Sequence, residues 1–176
     1  MGSSLRQPRR RSSAPAEPGP RGGRRLDGVP VNPDLVAREF PPTAPYLVGR
    51  EKVREFARAV LADSPLSLDP AAARDAGYPD VVAPPTFPVV VQEQTLAQLL
   101  AEPGAGIDFS RVVHGDQRFS FTRPIVAGDE LTATLRVTAV KSLGGNSMVT
   151  AESTIVDADG AHVVTAVSTL VVRGDE

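Results

Sequence analysis

The 176-residue chain has no cysteine and no tryptophan, only two histidines, and few aromatic residues of any kind. Without cysteine there can be no disulfide framework, no thiolate metal site and no thiol nucleophile, which accords with a reducing compartment, and a cytoplasmic location is expected. Two histidines, His114 and His162, leave almost no room for a histidine-rich zinc site and restrict any imidazole base to two positions. No apolar run approaches the ~20 residues that a membrane-spanning helix needs, and the N-terminus lacks the apolar core of a secretory signal. No membrane partner is expected. Glycine-rich phosphate loops, a Gly-x-Ser-x-Gly elbow and metal-ligand clusters are also missing, so neither metal nor cofactor is expected.

Charge is unevenly placed. Arg6, Arg9, Arg10, Arg11, Arg21, Arg24 and Arg25 stand in a head rich in proline, glycine and serine, opposed only by Glu17. Beyond residue 25 the chain carries a formal charge of about −8, so the part able to fold has no basic footprint for nucleic acid. Residues 1–40 are expected to be a disordered extension, and residues 41–173 a single domain, since the length accommodates one proper core and not two.

Periodicity then divides that domain in two. Tyr46-Leu47-Val48 is a short entry strand and Gly49 a helix N-cap; Val53, Phe56, Ala57, Val60 and Leu61 follow the spacing of one helical face, with Arg50, Lys52, Arg54, Glu55 and Arg58 off it. Asp69-Pro70 predicts a capped second helix that stops at Gly77. A third helix, from Phe87 to about Leu100, is apolar nearly all round its first two turns and is expected to be buried, although its valines also suit a strand. From Gln117 the period becomes two: Phe119 and Phe121, then Leu131, Ala133, Leu135, Val137 and Ala139, alternate with polar residues. The turn sequences Gly144-Gly145-Asn146 and Asp157-Ala158-Asp159-Gly160 separate two further strands, Met148–Val156 and His162–Val172. The result is an α+β domain in which the apolar helix must lie against a long antiparallel sheet.

Five segments in this order carry a specific resemblance: residues 50–57, the loop Ala62 to Pro70, Ala72-Ala73 with Gly77-Tyr78, residues 82–87, and Arg123-Pro124-Ile125-Val126-Ala127-Gly128-Asp129. Together they resemble the MaoC-like (R)-specific hydratases and dehydratases, and in particular the actinobacterial dehydratase N-terminal-domain proteins similar to the A subunit of (3R)-hydroxyacyl-ACP dehydratase. The resemblance covers about Pro41 to Val172. It implies a single hot-dog fold, an antiparallel sheet wrapped around a central apolar helix, pairing with a second hot-dog protomer as a homodimer or heterodimer.

In that family the loop reads Gly-Asp-x-Asn-Pro-(Leu/Ile/Val)-His-x-Asp-Pro, and its Asp and His share the acid/base work on an acyl-ACP or acyl-CoA thioester. Here Ser67 stands at the histidine position, Ser64 at the asparagine, and one residue is missing between Asp63 and Pro65. Dehydration removes a proton alpha to the thioester and protonates the departing hydroxyl, which needs a group able to shuttle protons near neutral pH. A serine hydroxyl cannot do this unaided. The resemblance therefore implies a protomer that supplies the acyl-binding half while a motif-complete MaoC-like partner supplies the dyad. Asp63 and Ser67 are the expected catalytic-loop residues, Asp63 being equally readable as a plain loop carboxylate, and His114 is a third candidate that could bring an imidazole from elsewhere.

Carbonyl polarisation calls for unpaired N–H groups at a helix start; Pro84 and Pro85 have no N–H, so Thr86 and Phe87 are the first backbone donors, and Pro85 and Gln117 are the other expected substrate-binding residues; Thr86 also suits a simple N-cap. His162, after a turn, is expected to be exposed, and Arg123 is a candidate contact for a carrier phosphate or an exposed strand-end arginine. Two other functions compete: a non-catalytic acyl-binding or scaffolding hot-dog protein, and a thioesterase in which Glu93, mid-helix, activates water.

Overall fold

The structure, a computed structural model, describes residues 31–174. Residues 1–30 of the expected disordered extension lie outside the described residues, whereas residues 31–40 are packed: Val31, Leu35 and Phe40 are buried. This corrects the boundary expected at Pro41. The cause is the backbone of this segment, whose N–H groups at Ala37, Phe40 and Thr43 donate to the carbonyls of Val137, Leu135 and Ala133. A sheet edge that would otherwise stand open is thereby covered.

After β1 (Tyr46–Leu47) comes α1 (Arg50–Ala59), which starts at Gly49 as expected and buries Val53 and Ala57. The expected apolar face ends there. Val60 is 45% and Leu61 90% exposed, and Leu61 adopts a left-handed φ of 56° that carries the chain out of the helix. An unanticipated turn of helix, α2 (Pro65–Leu68), precedes α3 (Pro70–Asp75), where Asp69 caps as expected by accepting from the Ala71 N–H at 2.8 Å and Gly77 supplies the positive φ that ends the helix.

The central helix, α4 (Pro88–Leu100), lies against β3, β4 and β5. It is not buried all round: Glu93 and Ala97 are exposed, and the face on the sheet includes the polar Gln92 and Thr95. Gln92 Nε2 donates to the Ala166 carbonyl at 3.2 Å; the Thr95 hydroxyl donates to the Gln92 carbonyl at 2.8 Å and, having one proton, accepts from Ser153 Oγ at 2.9 Å. These groups stand between two apolar clusters, one around Phe87, Val91, Ile125 and Ile155 and the other around Leu35, Phe40, Leu99 and Leu170. Buried polar groups are tolerated here because each finds a partner.

Four long antiparallel strands follow: β2 (Val112–Phe121), β3 (Glu130–Leu143), β4 (Asn146–Val156) and β5 (His162–Val172). The spatial order is β1-β3-β4-β5-β2. The bounds of β5 are those expected; β4 begins two residues earlier and β2 five residues earlier than the alternation suggests. On β3, Leu131, Ala133, Leu135 and Val137 are buried, and a bulge after Val137 leaves Ala139 only half-buried. As the outermost strand, β2 buries little, and Phe121 is 41% exposed. One helix against one curled antiparallel sheet is the expected α+β hot-dog architecture.

Candidate active site

Three sequence-distant segments meet along one wall. Val81–Ala83 is the middle one. On one side the Val82 N–H donates to the Leu66 carbonyl at 2.8 Å and the Val82 carbonyl accepts from Ser67 Oγ at 2.7 Å. On the other, Ala83 N–H donates to the Ile125 carbonyl and Ala127 N–H to the Val81 carbonyl, at 2.8 and 2.9 Å. The start of the segment is held by Asp80, which pairs with Arg50 of α1 (Nε to Oδ1, 2.9 Å) while accepting from the Val81 N–H at 2.7 Å. The Arg50 guanidinium, with the Val81 N–H second, lowers the Asp80 pKa to about 2.

These segments border a cavity of about 520 Å³ lined by Ala62 and Ser64 before α2, by Leu66 and Ser67 within it, by Val82–Pro85 and by Phe121–Ile125. Leu66, Val82, Ala83, Pro84, Phe121 and Ile125 make its wall largely apolar, as an acyl group requires. Its polar side chains are Ser64, Ser67, Thr122 and Arg123.

Of the residues expected from sequence, Ser67 and Pro85 line the cavity. Ser67 is nevertheless buried, and its proton is directed to the Val82 carbonyl rather than into the space. Ala62 and Ser64 line the cavity while Asp63 between them does not; Asp63 is exposed. Thr86 is exposed and outside the lining, and no described residue accepts from its N–H. The Phe87 N–H is already paired with the Pro84 carbonyl at 2.9 Å, and its ring packs edge-on against Phe56 with centroids 5.3 Å apart. The N–H pair expected at the helix start is thus reduced to one group, because Phe87 closes a turn and Pro88 has no N–H. Gln117 accepts from Ser168 Oγ at 2.6 Å, away from the cavity wall. His114 is exposed at a bulge on β2, seven residues and roughly 23 Å of strand from Phe121. Glu93 is exposed on α4 and lies outside the cavity lining, so the carboxylate that a thioesterase reading needs is not brought to this cavity.

In the segment Phe121–Ile125 the sequence suggested a site role for Arg123 alone, although residues 123–125 begin a motif that carries the family resemblance. Arg123 is neither an exposed strand-end arginine nor a free phosphate contact. Its Nη1 donates to Asp129 Oδ2 at 2.8 Å and its Nη2 to Asp157 Oδ2 at 3.1 Å, so its charge is matched twice. The hydrogen bond to Asp129 raises the Arg123 pKa, and the one from Arg123 lowers that of Asp157. His162, expected to be exposed, is half-buried with both ring nitrogens engaged: Nδ1 lies 2.6 Å from Thr122 Oγ1 and Nε2 2.9 Å from Thr165 Oγ1. Only the strand pairing that sets Thr122 beside the start of β5 makes this visible, and no local sequence signal announces it.

Residues 34–166 match the family model described as FAS1-like, dehydratase domain region. The chain is 73% identical to a UPF0336 protein of Leifsonia xyli subsp. xyli over 84% of its own length and 99% of that protein's. Among solved structures it is similar to the C-terminally truncated HadBC (3R-hydroxyacyl-ACP dehydratase) complex from Mycobacterium tuberculosis, with 33% identity, a TM-score of 0.68, and coverage of 83% of this chain and 96% of that one. It is also similar to the (R)-hydratase from A. caviae involved in PHA biosynthesis, with 25% identity, a TM-score of 0.60, and coverage of 77% and 94%. The chain belongs to the FAS1-like dehydratase domain-region family and, among MaoC-like hot-dog proteins, to the UPF0336 group.

Proposed function

We propose that this chain is a subunit of a (3R)-hydroxyacyl-thioester dehydratase or enoyl hydratase of fatty-acyl metabolism, supplying the acyl-binding half while a motif-complete partner protomer supplies the Asp/His dyad. The observation that carries the reading is the cavity: its wall is largely apolar and includes the loop at which the resemblance to MaoC-like hydratases would place the dyad, yet Ser67 is committed to Val82 and Asp63 is outside the lining. The similar HadBC structure is that of a complex, which supports a two-subunit arrangement. General acid–base assistance is typically worth ~10²–10⁴-fold, so the isolated chain should hydrate enoyl thioesters slower than the assembled pair by about that factor.

The test is hydration of crotonyl- and long-chain enoyl-thioesters, presented on CoA and on ACP, by the chain alone and after co-expression with a motif-complete MaoC-like protein from the same source. Full activity only in the pair is the expected result. Binding of acyl thioester without turnover in either preparation would instead establish the scaffold reading, which the tied hydroxyl of Ser67 favours.

A further inference from the structure

We propose that Thr122, backed by His162, is a proton-transfer pair that this chain contributes from its own cavity wall. This rests on the acyl-thioester reading above but does not depend on the partner's dyad. Thr122 lines the cavity, and its Oγ1 lies 2.6 Å from His162 Nδ1. On the far side of the ring, Nε2 lies 2.9 Å from Thr165 Oγ1. With the Nε2 proton donated to Thr165, Nδ1 is the basic nitrogen and accepts from Thr122. The pair is held by backbone as well: the Thr122 N–H donates to the Val163 carbonyl at 2.9 Å, and the next residue, Arg123, is clamped by Asp129 and Asp157. The other hydroxyl with a defined bond in the lining, Ser67, points its proton away.

The chemistry balances with no further reactant. In dehydration Thr122 Oγ1 passes its proton to His162 Nδ1 and takes one from the alpha carbon of the 3-hydroxyacyl thioester. The C–H electron pair forms the new C=C bond as the beta C–O bond breaks. The proton then returns from His162 through Thr122 to the departing hydroxyl, which leaves as water. Hydration is the reverse. Thr122 is the group that meets substrate, and His162 acts only through it, as a positioning residue.

The experiment follows hydration of crotonyl-CoA by the two-subunit complex with the partner's own Asp and His replaced, comparing the native chain with Thr122→Val, Thr122→Ser and His162→Asn. A slow residual rate is expected. Thr122→Val and His162→Asn should lower its kcat by roughly 10²-fold with KM little changed, and Thr122→Ser should retain it, with melting curves confirming folded variants. Residual rates that ignore all three substitutions overturn the proposal. So does a dyad-less complex that is inactive while the intact complex turns over, a result that leaves the acyl-thioester reading standing; inactivity of both complexes overturns both.

Discussion

Ser67 shows how a side chain at a catalytic position becomes structural. Its hydroxyl bridges to the Val82 carbonyl beside the Leu66–Val82 backbone bond, so it fastens the loop to the cavity wall. Replacing it with alanine removes that partner from a half-buried carbonyl, and a loss of about 0.5–1.5 kcal/mol is expected, read from the urea midpoint at unchanged slope. A catalytic serine would show the opposite pattern, lost turnover at constant stability. Asp80 gives a second residue-level expectation. Its pKa is depressed to about 2 by Arg50, so its contribution to stability is complete above its unfolded value near ~3.9 and is lost as pH falls from there towards about 2. Asp80→Asn should therefore flatten the acid-unfolding profile within that window and leave the profile above it parallel to that of the native chain.

At the scale of elements, the central helix is the instructive case. Its valines and leucines make its burial legible in sequence, but the face it turns to the sheet includes Gln92 and Thr95, which periodicity alone assigns to no particular environment. Their acceptability depends on Ser153 and the Ala166 carbonyl, 58 and more residues away in the chain. Thr95→Val keeps the shape and removes the acceptor for Ser153, so chemical denaturation should reveal a loss of about 1–3 kcal/mol despite the more apolar side chain. Helix starts with a local chemical device, Gly49 and Asp69-Pro70, were readable; α2 and the exit of α1 at Leu61 were not. A four-residue helix has no period to detect, and the left-handed Leu61 reflects where the loop must go rather than what leucine prefers.

At the scale of the molecule, the N-terminal segment and β2 occupy opposite sides of the sheet. Residues 37–43 cover β3, with Arg38 additionally paired to Glu102 at 2.9 Å and set over the Phe40 ring at 5.6 Å. Phe40→Ala should cost about 3–5 kcal/mol, measurable as a lowered melting temperature, because it empties part of the second apolar cluster and loosens the edge cover together. The sequence by itself determined that the helices precede the long strands, the limits of β5, the capped start of α3 and the family resemblance, because these rest on local capping, turn chemistry and side-chain period, whereas the place of β2 beside β5 rather than beside β3 came from the tertiary structure. Which polar groups face the cavity was decided only by tertiary structure. Strand pairing sets Thr122 against His162, loop packing turns Ser67 towards Val82 and leaves Asp63 outside, and the two carboxylates around Arg123 come from separate turns. Each of these depends on contacts between residues distant in the chain, where no local propensity carries the information.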